Sequence, residues 1–83
     1  MGMVRLTATA REQLEQLPKS IRARIYDLLE RLEKWPNVSG TKPLRGNLAG
    51  RYRLRTGDFR MQFRVVDNVV IIEQIGHRDG FYE

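Results

Sequence analysis

The chain has 83 residues, no cysteine and a formal net charge of +5 at pH 7. Its length predicts one domain over residues 1–83, and the missing thiols exclude disulfides, thiolate metal sites and a cysteine nucleophile. The 41% of hydrophobic residues excludes a disordered chain. Because no apolar run is long enough to span a membrane and no signal-peptide pattern opens the chain, we expect a cytoplasmic protein.

The first half of the chain predicts one strand and two helices. Residues 3–6 alternate between apolar and polar side chains, which is typical of a strand. Thr9 and Glu12 have capping-box spacing and predict the start of a short first helix, which Pro18 ends. Residues 19–34 carry apolar side chains at every third or fourth position, which predicts an amphipathic helix whose apolar stripe belongs to the core.

The second half predicts a loop followed by three strands. Residues 36–50 are rich in glycine, proline and asparagine, which favours a loop. Residues 51–55, 59–66 and 69–75 have strand patterns and are separated by short turns, so they predict two consecutive hairpins. The expected fold class is α+β with the order β-α-α-β-β-β, in which two helices pack on one face of a mostly antiparallel four-stranded sheet.

Most of the 15 basic residues are arginines, and the only lysines are Lys19, Lys34 and Lys42. Guanidinium forks grip phosphates and carboxylates, so the expected partner is a nucleic acid or an acidic protein segment. Residues 42–64 contain one acid, Asp58. The same stretch contains seven bases, namely Lys42, Arg45, Arg51, Arg53, Arg55, Arg60 and Arg64.

Strand alternation predicts that these arginines share one face of the sheet. A two-residue hairpin loop pairs Arg60 with either Arg53 or Arg55, and both registers keep the arginines of the two strands on the same side. Like charges that face each other across strands destabilise a sheet. We therefore interpret this face as an anion-binding surface; the alternative is an ordinary solvated face, which normally mixes both signs.

The last strand is predicted to extend the same face. A tight turn at residues 67–68 would place four further side chains on the arginine side, namely Ile71, Glu73, Ile75 and His77. Arg78 would then point toward the core unless Gly76 supplies a bulge or ends the strand. His77 is the only histidine, and positive neighbours would favour its neutral form, which makes it a candidate base. The alternative is a structural or surface histidine.

The segment LRGNLAGRYRLRTGDFRMQFRVVDNVVIIEQIGHRDGFY, residues 44–82, resembles the RelE/ParE superfamily of bacterial type II toxin–antitoxin toxins. The shared pieces are Leu-Arg-Gly before the strands, the Gly-Arg-Tyr-Arg-Leu-Arg strand, the Gly-Asp-Phe-Arg hairpin and the closing Gly-His-Arg…Tyr. The helix start LPKSIRARI also matches. The resemblance implies a RelE-like version of this fold and an antitoxin that wraps and neutralises the toxin. Many members cleave mRNA in the ribosomal A site, whereas others poison DNA gyrase.

For the nuclease branch, the resemblance implies a reaction without a metal or cofactor, in which a ribose 2′-OH attacks the adjacent phosphate. Arg60 and Arg78 would stabilise the pentavalent phosphorane, and Tyr82 would stack on a base or assist proton transfer. Together with His77, these three are the candidate catalytic residues. The candidate RNA- and phosphate-binding residues are Lys42, Arg45, Arg51, Arg53, Arg55 and Arg64.

Arg53 and Arg55 depart from some RelE-type enzymes, which carry lysine at these positions. Lysine with a lowered pKa can lose its proton, whereas arginine stays protonated. His77 or Tyr82 must then help, or catalysis depends on positioning and charge alone. The first hypothesis is therefore a toxin that inhibits translation as a ribosome-dependent mRNA endoribonuclease. The alternatives are a ParE-type toxin that targets DNA gyrase and an inactive RNA- or protein-binding relative.

Overall fold

The computed structural model describes residues 3–80. Its elements in chain order are β1 (Met3–Leu6), α1 (Ala8–Glu15), α2 (Lys19–Leu32), β2 (Lys42–Pro43), β3 (Arg51–Thr56), β4 (Phe59–Val66) and β5 (Val69–His77), with short 3-10 helices at Gly46–Leu48 and Arg78–Gly80. The predicted α+β class and the order of the two helices and the long strands are confirmed. Across residues 3–80, no helix has the length and apolarity needed to cross a membrane.

The strands form one sheet in the order β1-β5-β4-β3-β2. β1 runs parallel to β5, and the other neighbours are antiparallel. The sheet therefore has five strands instead of the predicted four, because Lys42 and Pro43 pair with β3 inside the segment predicted as a loop. A proline is tolerated in this strand because β2 lies at the edge of the sheet, where no further strand requires its missing N–H.

The hydrophobic core lies between the two helices and one face of the sheet. The predicted stripe of α2 is confirmed, since Ile25, Leu28 and Leu32 are buried. The sheet contributes Leu54, Met61, Phe63, Val70, Ile72 and Ile75 to the same cluster. Just beyond α2, the ring of Trp35 lies 4.8 Å from Tyr52 and 5.4 Å from Phe63, centroid to centroid. This aromatic cluster holds the end of α2 against β3 and β4.

The first helix begins two residues before the position predicted from the capping-box pattern. Thr7, not Thr9, is the N-cap, and its hydroxyl oxygen accepts a hydrogen bond from the backbone N–H of Ala10 over 3.1 Å. An N-cap needs a side-chain acceptor on a residue with extended backbone directly before the helix, and Thr7 meets this requirement. Thr9 lies inside α1, so the apparent pairing of Thr9 with Glu12 was misleading.

The start of α1 also binds the edge of β5 where β1 has ended. The hydroxyl of Thr7 donates to the carbonyl oxygen of Glu73 over 3.3 Å, and Gln13 Oε1 accepts from the backbone N–H of Ile75 over 2.7 Å. These side chains take the place of a neighbouring strand for the second half of β5. Backbone groups that would otherwise lack a partner are thereby satisfied.

A β-bulge in β5 changes which side chains face the helices. Gln62 of β4 pairs with Gln74, whereas the next residue, Phe63, pairs with Ile72, so Glu73 is the extra residue. Beyond the bulge the alternation is reversed. Ile75 is buried in the core, and the prediction that it lies on the arginine side is wrong.

Candidate functional site

The sheet face opposite the helices carries the arginines of β3 and β4. Arg51 lies opposite Arg64, and Arg55 lies opposite Arg60. The predicted common face is confirmed, in the register that pairs Arg60 with Arg55. This register follows from the two-residue loop after β3, whose first residue, Gly57, has a φ of 58° that favours glycine. Two pairs of like charges therefore face each other across one ladder.

One end of this face is neutralised by Glu73, whose carboxylate bridges two arginines. Arg51 Nε donates to Glu73 Oε1 over 2.7 Å, and Arg64 Nε lies 3.3 Å from Oε2. Alternation along β5 places the Glu73 side chain on this face, as predicted, and only 20% of it is exposed. Arg51 and Arg64, both predicted to bind phosphate, are therefore already engaged with a carboxylate inside the protein.

Four arginines form the other end of the face, and we call Arg53, Arg55, Arg60 and Arg78 the arginine cluster. Partial burial lowers the pKa of Arg60, and the positive charges of Arg53, Arg55 and Arg78 lower it further. The contribution of these three charges means that they lie close enough to Arg60 to repel its guanidinium. A bound anion would offset that repulsion, which makes this end of the face the better anion-binding site.

Arg78 reaches the cluster because of the bulge and a backbone contact. The reversed alternation carries Arg78 toward the arginine side, and its N–H donates to the carbonyl oxygen of Asp58 over 2.8 Å. The predicted alternative, a bulge at Gly76, is wrong, since the bulge lies at Glu73. The guanidinium is 4.0 Å from the Asp58 carboxylate and 3.7 Å from that of Asp79. These pairs are mostly exposed and therefore weak.

His77 lies on the helix side of the sheet, and its predicted place on the arginine face is wrong. It pairs with Phe59, and the two rings meet edge to face with centroids 5.4 Å apart. Its Nδ1 accepts a hydrogen bond from the backbone N–H of Asp79 over 3.2 Å and lies 3.4 Å from the Asp79 carboxylate. The physical reason for the correction is the reversal of alternation at Glu73. Tyr82 lies outside the described residues.

Lys42 and Arg45 border a cavity at the β2–β3 edge of the sheet. This cavity has a volume of about 510 Å³ and is lined by Lys42, Pro43, Leu44, Arg45 and Arg53. An adjoining cavity of about 180 Å³ is lined by Gly40, Lys42, Arg53 and Arg55. The structure thus places the two predicted loop cations beside the arginine cluster, since the cavities share Arg53 and reach Arg55.

Sequence reasoning missed the contacts that organise the site. The bridge from Glu73 to two arginines has one signal in the sequence, because Glu73 is the only acid in β5. The hydrogen bonds from Thr7 and Gln13 to the bulged part of β5 have no signal in the sequence, since they form only because β1 ends before this part of β5. Neither contact follows from strand alternation alone.

The cluster can bind and orient an anionic group but is poorly suited to take up a proton. Guanidinium groups donate several hydrogen bonds in a fixed fork and remain protonated in proteins. Charges arranged in advance around a developing oxyanion stabilise a transition state without further rearrangement. Among residues 3–80, no three histidine, aspartate or glutamate side chains lie close enough together to hold a metal ion.

Comparison with known proteins gives consistent matches over nearly the whole chain. The model of the family described as the ParE toxin of the type II toxin–antitoxin system parDE matches residues 4–80. Toxin RelG of Mycobacterium tuberculosis is 38% identical over 82 residues, which cover 95% of this chain and 93% of that toxin.

Solved structures share the fold. A chain of the toxin–antitoxin complex RelBE2 from Mycobacterium tuberculosis matches with a TM-score of 0.82 and 36% identity, over 93% of this chain and 98% of that chain. A chain of the intact E. coli RelBE toxin–antitoxin complex matches with a TM-score of 0.71 and 26% identity, over 93% of this chain and 96% of that chain.

Proposed function

The chain belongs to the ParE toxin family of type II toxin–antitoxin systems, and we propose that it inhibits translation by cutting mRNA on the ribosome. The observation that carries the nuclease proposal is the arginine cluster, in which partial burial and then the charges of Arg53, Arg55 and Arg78 lower the pKa of Arg60. A site built from mutually repelling cations is suited to a phosphate that gains negative charge during the reaction.

The proposed reaction is an in-line displacement at phosphorus. The ribose 2′-oxygen forms a bond to the adjacent phosphorus as its proton leaves, and the bond from phosphorus to the 5′-oxygen of the next nucleotide breaks. The departing 5′-oxygen receives a proton. The products are a 2′,3′-cyclic phosphate and a 5′-hydroxyl end, so atoms and charges balance without an added reactant.

In this proposal the two pairs of arginines in the cluster have different roles. Arg60 and Arg78 stabilise the charge of the phosphorane, and Arg53 and Arg55 hold the RNA backbone in the attacking geometry. Correct orientation and electrostatic stabilisation together account for large rate enhancements when no side chain is an ideal base. Arg51 and Arg64 maintain the sheet face through Glu73 and do not contact the reacting phosphate.

Proton transfer falls to Tyr82 or to groups of the ribosome. The resemblance assigns base stacking or proton transfer to this tyrosine, and arginine cannot replace it as a base. His77 is placed on the other side of the sheet by its pairing with Phe59. We therefore assign it no part in the chemistry.

The partner that neutralises the toxin is a cognate antitoxin protein. Relatives in solved structures come from toxin–antitoxin complexes, including RelBE2 and E. coli RelBE. An antitoxin segment with acidic residues would bind the arginine face through charge complementarity.

Cleavage of a defined mRNA on programmed ribosomes, followed by primer extension, tests the nuclease proposal. The wild-type protein should cut, Arg60→Ala should not, and Arg64→Ala on the same face should retain cleavage. Intact mRNA together with growth arrest by the wild-type protein would refute the proposal.

A second candidate function, trapping of DNA gyrase, is favoured by one observation. Both Arg53 and Arg55 stand where some RelE-type enzymes carry lysine, so the strand offers no side chain that can give up a proton near pH 7. Induction of the DNA-damage response without a block in translation would select this function.

A further inference from the structure

The sheet face opposite the helices carries an apolar patch at the end away from the arginine cluster. Val69 of β5 lies between Val66 of β4 and Met3 of β1, so three apolar residues form one row across three strands. Ile71 lies in the next row on this face, one step closer to the cluster. We call Met3, Val66, Val69 and Ile71 the open-face patch.

The first half of β5 has the composition of a strand that is buried on both faces. Val70 and Ile72 are fully buried in the core under the helices, so Val69 and Ile71 face the other way. A continuous apolar run of this kind is typical of strands in parallel pairs with both faces covered, and this part of β5 pairs in parallel with β1. The helices cover one face only, so the composition of β5 indicates a second cover.

The outer members of the open-face patch are strongly exposed. Met3 is 52% exposed and Val66 is 41% exposed. Within residues 3–80, the other large hydrophobic side chain with comparable exposure is Tyr26, which lies on α2 in the helix layer. Exposed apolar residues that are scattered singly are common, whereas a contiguous group with charged neighbours marks an interaction surface.

The charges around the open-face patch are arranged unevenly. Arg5 and Arg64 lie on either side of Ile71, in the row that is closer to the arginine cluster. Arg5 Nη2 donates to the sulfur of Met3 over 3.4 Å, which holds this guanidinium against the patch. Asp67 follows β4 at the opposite end, in the turn before β5. Cations therefore border the end toward the cluster, and a carboxylate borders the far end.

We propose that the open-face patch is the docking site for one amphipathic helix of the antitoxin, whose carboxylates lie beside Arg5 and Arg64. This inference rests on the proposed antitoxin partner and gives it a defined place on the toxin. Three neighbouring strands span about 10 Å, which matches the width of one helix with its side chains. The acidic edge of the bound helix faces the arginine cluster, so the antitoxin is anchored beside the cluster without occupying it.

A second copy of this chain fits the open-face patch less well than an acidic helix. Each copy carries a net charge of +5, and two facing patches would bring the arginines beside Ile71 close to those of the other copy. RNA also fits poorly, because the patch is aliphatic and offers no aromatic ring on which a base could stack. The guanidinium of Arg64 is already held by Glu73 over 3.3 Å.

Two near-isosteric substitutions test the apolar contact. Met3→Gln combined with Val66→Thr removes apolar surface from residues outside the core, so the fold should persist, and urea denaturation checks that it does. The double variant should bind the antitoxin encoded beside the toxin gene about eightfold more weakly, which corresponds to roughly 50 Å² less buried apolar surface. Biolayer interferometry measures the affinity. Tyr26→Gln is the matched control on the helix layer and should bind like the wild-type protein.

A pair of charge reversals tests the orientation of the docked helix. Arg5→Glu places a carboxylate where the acidic edge of the helix is expected, so the association rate should fall about tenfold at low salt. Arg11→Glu makes the same change in net charge on α1, in the helix layer, and should lower the rate less. Equal rates for the two variants would overturn the proposed orientation and with it the inference.

The remaining outcomes separate this inference from the nuclease proposal. The double variant should cut ribosome-bound mRNA like the wild-type protein but be inhibited less by the same antitoxin concentration. If the double variant binds the antitoxin with wild-type affinity, the inference is wrong, whether or not mRNA is cut. If the wild-type protein cuts no mRNA while the double variant binds the antitoxin more weakly, the docking site stands and the nuclease proposal fails. A wild-type dimer in analytical ultracentrifugation that the double substitution converts to a monomer would assign the patch to a second copy and overturn the inference.

Discussion

Arg55 and Arg60 lie directly opposite each other on β3 and β4, two like charges at one position of an antiparallel ladder. Partial burial and the charges of Arg53, Arg55 and Arg78 lower the pKa of Arg60. We expect this pairing to cost the protein some stability, and a bound phosphate would offset the repulsion between the two guanidiniums. Stability and anion binding should therefore respond in opposite directions when one of these charges is removed.

Replacement of Arg55 by glutamine should stabilise the protein and impair its function. Loss of the like-charged pair should raise the free energy of unfolding by about 0.5 kcal/mol. Urea denaturation measures this change, and ribosome-dependent cleavage should fall in the same variant. Arg64→Gln is the matched control, because it loses its contact with Glu73 and should be less stable than the wild-type protein. A destabilised Arg55→Gln variant would contradict the expected repulsion.

Replacement of Glu73 by glutamine should release two arginines at once. The neutral amide has no charge and one acceptor oxygen instead of two, so it holds Arg51 and Arg64 less firmly, and the partly exposed ion pairs should account for about 1 kcal/mol of stability. The released guanidiniums extend the anion-binding face, so RNA binding should become more dependent on salt. Fluorescence anisotropy at several salt concentrations measures this slope, and an unchanged slope would mean that the two arginines stay withdrawn from RNA.

The amide of Gln13 should support the bulge that positions Arg78. Gln13→Leu removes the acceptor for the Ile75 N–H and should lower the free energy of unfolding by about 1–2 kcal/mol. Gln13→Glu keeps an acceptor and serves as the control. Cleavage should fall more in the leucine variant than in the glutamate variant. If both variants cut mRNA equally, the edge contact does not position Arg78.

His77→Ala should preserve cleavage and weaken the fold. The lost edge-to-face contact with Phe59 should lower the free energy of unfolding by about 0.5–1 kcal/mol. Thermal unfolding and primer extension on the same preparation measure both effects. A stable variant that no longer cuts would place the imidazole in the reaction after all.

The sequence patterns that repeat over several residues predicted their elements well. The bounds of β4 were predicted as residues 59–66 and are observed at Phe59–Val66, because strong alternation ends at turn residues on both sides. The stripe of α2 was predicted correctly, although the helix ends at Leu32 rather than at residue 34. The shared arginine face followed directly from the two-residue period of a strand.

The features that failed depend on contacts between distant parts of the chain. The bulge at Glu73 depends on Thr7 and Gln13, which are far away in sequence, and alternation counted along β5 could not reveal it. The positions of Ile75, His77 and Arg78 all changed as a consequence. Strand β2 was not predicted because it is two residues long and lies in a segment rich in turn residues. Its strand conformation comes only from its pairing with β3. Local patterns therefore predicted the elements but not the geometry of the site.

Arginine Nε–Hε signals in NMR spectra offer the most direct test of the arginine cluster as the RNA-binding site. Single arginine substitutions assign the signals, and a short 2′-O-methylated single-stranded RNA is then titrated into the wild-type protein. We expect the signals of Arg53, Arg55, Arg60 and Arg78 to shift together, while those of Arg51 and Arg64 keep the positions set by Glu73. Shifts confined to Arg51 and Arg64, with the cluster unchanged, would contradict the proposed site.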